Sequence, residues 1–222
     1  MMMKPKLITF LSFTLLFAVY GNAQSLKDSL MANGYLFEQF EQGQVLLKKG
    51  AIEPADLNYN YREQSIAFEQ NGQYLIVTNP EEIDTIYIGG KKFIPIDKKF
   101  YKVLMTSNVT LLNTYTESKH PMTATNDQNG FSRQNTNQVS NTVSGVYVNR
   151  NYKGSYSVDL KKQYWLIKGD HLYKGNNEQQ IISRFPTKSK EISNYIKDNN
   201  VKIGEEKDMV KLLSYCNSLI QQ

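Results

Sequence analysis

Between Tyr35 and Thr116 the chain alternates apolar and polar residues with period two, broken by turn signals every 8 to 12 residues, as an antiparallel array of short strands does. In "SIAFEQNGQYLIV", Ile66 and Phe68 fall on one face, Asn71-Gly72 supplies the positive φ angles of a tight hairpin, and Tyr74 and Ile76 resume the alternation. "DTIYIGGKKFIPI" reads the same way. Its Gly89-Gly90-Lys91-Lys92 run lacks the glycine spacing, the hydroxyl and the following helix of a phosphate loop, so a chain reversal between two strands is expected. Pro95 has no ladder donor, which places its strand at a sheet edge or breaks the strand there. "KKFYKVLMTSNVTLLNTYTE" is a further strand pair turning near Ser107-Asn108.

From Ser118 to Gly145 the pattern stops. More than half of these residues are Ser, Thr, Asn or Gln, too polar to offset the entropy of ordering, and the stretch is read as a long disordered loop. Strands resume with "VYVNRN" and "YSVDLKKQYWLIKGDHLYKG", with a turn at Gly169-Asp170. After Asn177 the period lengthens to about 3.6. "NNEQQIISRF" predicts a short helix stopped before Pro186, and Pro186 opens a second helix with Ile192, Tyr195 and Ile196 on one face. A third carries Met209, Leu212, Leu213, Cys216, Leu219 and Ile220 as a single stripe. Such stripes need covering, so the helices should pack on each other and on the sheet. The expected fold class is α+β: an antiparallel meander of hairpins over 24–175, then two or three short helices in 176–222.

The first 23 residues differ from everything after them. Lys4 and Lys6 precede the apolar run "LITFLSFTLLFAVY", and small residues follow in "GNAQ", the three-part pattern of a secretory signal cut between Ala23 and Gln24. The run of about 14 residues falls short of the roughly 20 that span hydrocarbon, so the protein is not expected to span a membrane after cleavage. Export to the periplasm or the extracellular space follows as an expectation. Losing the two lysines of the leader lowers the net charge from +5 to +3, too little and too scattered for nucleic acid. The one cysteine, Cys216, has no partner for an internal disulfide, so stability must come from packing.

Two segments carry a resemblance. "FPTKSKEISNYIKDNNVKIGEEKDMVKLLSYCNSL" looks like the C-terminal tail of a group of uncharacterised exported proteins of Bacteroidota, and "LNYNYREQSIAFEQNGQYLIVTNPEEIDTIYIGGKKFIP" is similar to their β-rich N-terminal part. The "NAQ" leader ending is typical of that phylum. The resemblance implies a sheet followed by helices and an envelope location, and carries no activity. Separately, "DSL" at 28 to 30 and "DTI" at 84 to 86 resemble the Asp-Ser/Thr-apolar acceptor of periplasmic O-glycosylation in Bacteroidota, with Ser29 the better candidate because Thr85 falls in an expected strand.

Catalytic chemistry has little to draw on. His120 adjoins Pro121 at the polar stretch and His171 adjoins a turn, so both read as surface residues. No H-E-x-x-H, cysteine pair or G-x-S-x-G occurs, so neither metal nor cofactor is expected. Cys216 sits on an apolar stripe as a small hydrophobe. Glu63, Glu69, Glu81, Glu82 and Asp84 are acids without a pattern. The 15 tyrosines are the richer signal: in "NYNYRE", Tyr59 and Tyr61 share one strand face, where they either stack on a sugar or peptide or pack the sheet. These features suggest a non-catalytic interaction module presenting a sheet face or edge to an envelope protein or glycan. A carboxylate-dependent hydrolase or carbohydrate-active protein is the alternative, and an accessory subunit with a large apolar patch a third reading.

Overall fold

A computed structural model of the chain describes residues 30–121, 144–147 and 156–220, with side chains over 30–118 and 159–220. It contains the strands β1 (Glu41–Leu47), β2 (Ile52–Asn60), β3 (Ser65–Gln70), β4 (Gln73–Ile76), β5 (Ile83–Ile88), β6 (Lys91–Ile96), β7 (Lys99–Met105), β8 (Val109–Pro121), β9 (Ser144–Tyr147), β10 (Tyr156–Lys168) and β11 (His171–Lys174). The helices α1 (Glu178–Ile182), α2 (Ser189–Asp198) and α3 (Glu206–Ser218) follow. The class is α+β, an antiparallel meander followed by short helices. The stretch expected to be a loop over 118–145 is narrower at both ends, because Ser118–Pro121 closes β8 and Ser144–Gly145 opens β9; 122–143 lie outside the described residues.

All strands join one sheet in the order β11-β10-β8-β7-β6-β5-β1-β2-β3-β4, with β9 beside the other end of β10. It is built from two meanders, β1 to β4 and β5 to β8, sewn together by the pairing of β1 with β5 (Val45 opposite Ile86). The turns follow the local chemistry. Asn71 and Gly72 have φ of +54° and +76°, and Gly89 and Gly90 +52° and +73°, the left-handed pair that a two-residue hairpin requires. The Gly89-Gly90 run is therefore a reversal between Ile88 and Lys91.

Pro95 corrects the edge expectation, while the break occurs on the β5 side alone. Its strand, β6, is internal, lying between β5 and β7. Pairing with β5 ends at Phe93 opposite Ile86, however, and Ile96 opposite Lys99 closes the hairpin to β7. Alternation then turns the Pro95 nitrogen toward the β5 side, past the last β5 pair, so the missing donor breaks no bond of the ladder.

Although Tyr101 and Leu112 are buried on the opposite side, one face of the sheet holds most of the core. Its first half collects Val45, Leu57, Tyr59, Ile66, Ile86, Ile88, Phe93 and Phe100, and the sheet curls so that β2 and β3 bend over β7 and β8. The curl is pinned where Phe100 N donates to Gln64 O at 2.7 Å and the Tyr59 hydroxyl to Phe100 O at 3.1 Å. On the second half the same face shows Val109, Leu111, Tyr164 and Leu166, which the helices cover with Ile181, Phe185, Ile192, Met209, Leu212, Leu213 and Cys216. Asn177 caps α1 by accepting from Gln180 N at 2.9 Å, and Glu206 and Asp208 occupy the first turn of α3, where negative charge complements the helix dipole. Each fully buried leucine, such as Leu212 or Leu213, contributes roughly 1.5–3 kcal/mol of transfer free energy.

Candidate functional site

The tyrosine pair is interior. Tyr59 and Tyr61 are 0% and 1% exposed, which overturns the sugar-stacking reading of the pair in favour of packing. The physical reason is the curl: the face that an open sheet would show to solvent is folded onto β6 and β8, and Tyr59 lies against Phe93 with ring centroids 4.9 Å apart and near Tyr115. Each hydroxyl keeps a partner, Phe100 O for Tyr59 and Glu117 Oε1 for Tyr61, as buried phenols need. Burial, and then the neighbouring Tyr115 and Tyr101, drives the Tyr59 pKa far above its ordinary value.

Other sequence candidates scatter. Ala23, Gln24 and Ser29 lie outside the described residues, as does the side chain of His120, whose backbone runs in β8. His171 is exposed at the start of β11 and stacks beside Tyr173. Thr85, in the second acceptor-like tripeptide, is 4% exposed and gives its hydroxyl to Asp84. Cys216 is buried in the helix-covered core, where desolvation pushes its thiol up to about 12. Among the described residues no three His, Cys, Asp or Glu side chains gather as a metal site would require.

Two features were not singled out from the sequence. The first is a polar seam on the core face, between the two apolar halves. Lys102 of β7, Asn113 of β8 and Lys162 of β10 stand across neighbouring strands, and Glu206 reaches down from α3 to accept from Lys102 at 3.1 and 3.2 Å and to lie 3.4 Å from Lys162. Desolvation dominates at the deeper Lys102 and lowers its pKa despite the carboxylate. At the shallower Glu206 burial raises the pKa, but the charges and hydrogen bonds of Lys102 and Lys162 outweigh it and hold the carboxyl below its ordinary value. Two lysines thus keep this acid ionised, which suits an anchor between sheet and helix and does not suit a proton donor.

The second feature is the sheet edge at β4. Tyr74, Leu75 and Ile76 are 46%, 37% and 48% exposed, a contiguous apolar run on a terminal strand. The hairpin fixes which backbone groups are free. Gln70 opposite Gln73 closes the turn, Phe68 opposite Leu75 is the next bonded pair, and Val77 N donates to Ile66 O at 2.9 Å, so the N–H and C=O groups of Tyr74 and Ile76 point away from β3. Among the described residues no strand lies on that outer side. No charged residue occurs between Gln70 and Asn79, a signal that was legible in the sequence.

The opposite edge is guarded differently. β11 carries His171 and Lys174, and the Arg184 guanidinium lies 4.0 Å over the Tyr173 ring. Charges on an edge strand discourage pairing with another chain, and β4 has none. Beside β4, a groove of about 470 Å³ runs between Val45, Leu57, Phe68, Ile76 and Val77, with the exposed carboxylates of Glu53 and Glu82 at its rim.

Compared with protein-family models, with curated proteins and with solved structures, the chain has no match.

Proposed function

We propose that this chain is a non-catalytic interaction module, exported to the bacterial envelope, that receives an extended segment of a partner along β4. One observation carries the reading: an uncharged, apolar terminal strand whose Tyr74 and Ile76 backbone groups have no strand beside them among the described residues. An exposed edge of this kind binds by adding a strand. Main-chain bonds supply affinity, and alternate side chains supply selectivity. The leader-like pattern before Gln24 supports the envelope setting. The hydrolase alternative needs a free acidic pair, and two partly buried acids are already engaged: Glu206 with Lys102 and Lys162, and Glu117 with Tyr61 and Arg62.

The test is a photo-crosslinking residue in place of Tyr74 in the producing cell, compared with the same protein carrying Ile76→Pro. Proline at 76 deletes an outward donor and no hairpin bond. A discrete cross-linked species that disappears with the proline is expected. Absence of any discrete species, or one that the proline leaves unchanged, overturns the reading.

A further inference from the structure

We infer that the strand received by β4 is β4 of a second copy of this chain, in a twofold antiparallel pair centred on Leu75. This rests on the reading of β4 as the interaction edge and names its occupant.

The argument is the register. The outward backbone groups belong to Tyr74 and Ile76. Antiparallel pairing of two identical strands about Leu75 places Tyr74 of each copy opposite Ile76 of the other, so both pairs are bonded pairs and all four outward N–H groups find carbonyls. Leu75 then faces its own counterpart across the axis as the close, non-bonded pair.

The side chains agree with this register. Leu75 lies opposite Phe68, which lies opposite Leu57, so it points to the core face, and Tyr74 and Ile76 point to the outer face, where Tyr74 already stacks on Phe40 with centroids 4.5 Å apart. The pairing therefore makes two aromatic–branched contacts on the outer face and one Leu–Leu contact on the core face, combinations that stabilise neighbouring strands. A shift by one residue would put Tyr74 opposite Leu75 and bring outward groups against inward ones. A twofold contact also sets residues beside the axis close to their own copies, so a charge next to Leu75 would repel itself. β4 is neutral from Gln73 to Ile76.

Only four residues contribute to this edge, so the contact belongs to the weak, dissociable class of interface, below about 1,200 Å². Its population should depend on concentration.

Sedimentation equilibrium of the exported protein, wild type and Ile76→Pro, together with oxidation of Leu75→Cys, tests it. A reversible monomer–dimer equilibrium is expected, with the dissociation constant raised at least tenfold by the proline. Leu75→Cys should oxidise to a covalent dimer, while Ile52→Cys, more exposed on β2 at 59% against 37% but off the axis, should not. A wild type that stays monomeric at about 1 mM, or a Leu75→Cys protein that cross-links no faster than Ile52→Cys, overturns the second copy as occupant. If the Tyr74 photo-crosslink then yields a different polypeptide, the edge reading stands and only the identity of the occupant fails; if it yields nothing discrete, both fail.

Discussion

Lys102 Nζ lies 3.1 Å from Glu206 Oε1, joining β7 to the first turn of α3 across 104 positions of sequence. The lysine side chain is 10% exposed and the glutamate 32%, so the ammonium is the more deeply desolvated partner and the carboxylate is what makes its burial tolerable.

Glu206→Gln should therefore lower stability by about 1–2 kcal/mol, because it leaves a buried ammonium without its counter-charge. Lys102→Met in the same protein should recover most of that loss. Urea unfolding followed by far-UV circular dichroism measures both; equal losses in the single and double variants would show that Lys102 is not the reason.

The same pair sets a pH dependence. Glu206 is held below its ordinary 4.5 in the folded chain, so it binds protons more readily when unfolded. Its contribution is complete above pH 4.5, declines as the pH falls below that value, and is gone below the folded pKa. The acid limb of a stability–pH curve should accordingly be shallower for Glu206→Gln than for the wild type.

Asn217 acts as a substitute strand. Its Oδ1 accepts from Val109 N at 2.7 Å, and its Nδ2 donates to Val109 O at 3.0 Å and to Leu213 O at 2.8 Å, satisfying the first residue of β8 from helix α3. Asn217→Ala leaves the buried Val109 backbone groups unpaired and should cost about 2–4 kcal/mol. Asn217→Asp, which keeps the shape and removes the donor, should cost a comparable amount, measurable as a fall in Tm.

Gly43 is a packing requirement of the seam between the two meanders. A Cβ there would meet the Tyr87 carbonyl oxygen and approach Leu57 Cδ1 to 2.7 Å, and the carbonyl belongs to a paired strand that cannot move aside. Gly43→Ala should destabilise by about 1–3 kcal/mol, whereas Gly50→Ala, at a hairpin with open space around it, should show only the smaller cost of a positive φ.

Cys216 should resist alkylation in the native protein. Its thiol is buried and pushed up to about 12, so almost no thiolate is exposed at neutral pH. Iodoacetamide labelling followed by mass spectrometry should be at least 100-fold slower than in urea; rapid native labelling would mean that α3 does not cover the sheet.

What the sequence determined by itself was everything decided within about ten residues. Asn71-Gly72 and Gly89-Gly90 dictate their hairpins because two consecutive positive φ angles admit little else, and the stripe from Met209 to Cys216 dictates a helix with one covered face. The tertiary structure alone decided which of several faces became interior. "NYNYRE" puts Tyr59 and Tyr61 on one side of a strand but says nothing about the curl that buries that side, since the curl depends on Phe100 meeting Gln64 from another meander. Nor could alternation mark Lys102 as buried: a lysine at an inward position reads as an error until Glu206 arrives from the far end of the chain. The β4 edge lay between these cases, its neutrality visible in the residues and its terminal place in the sheet fixed only when β5 crossed over to pair with β1.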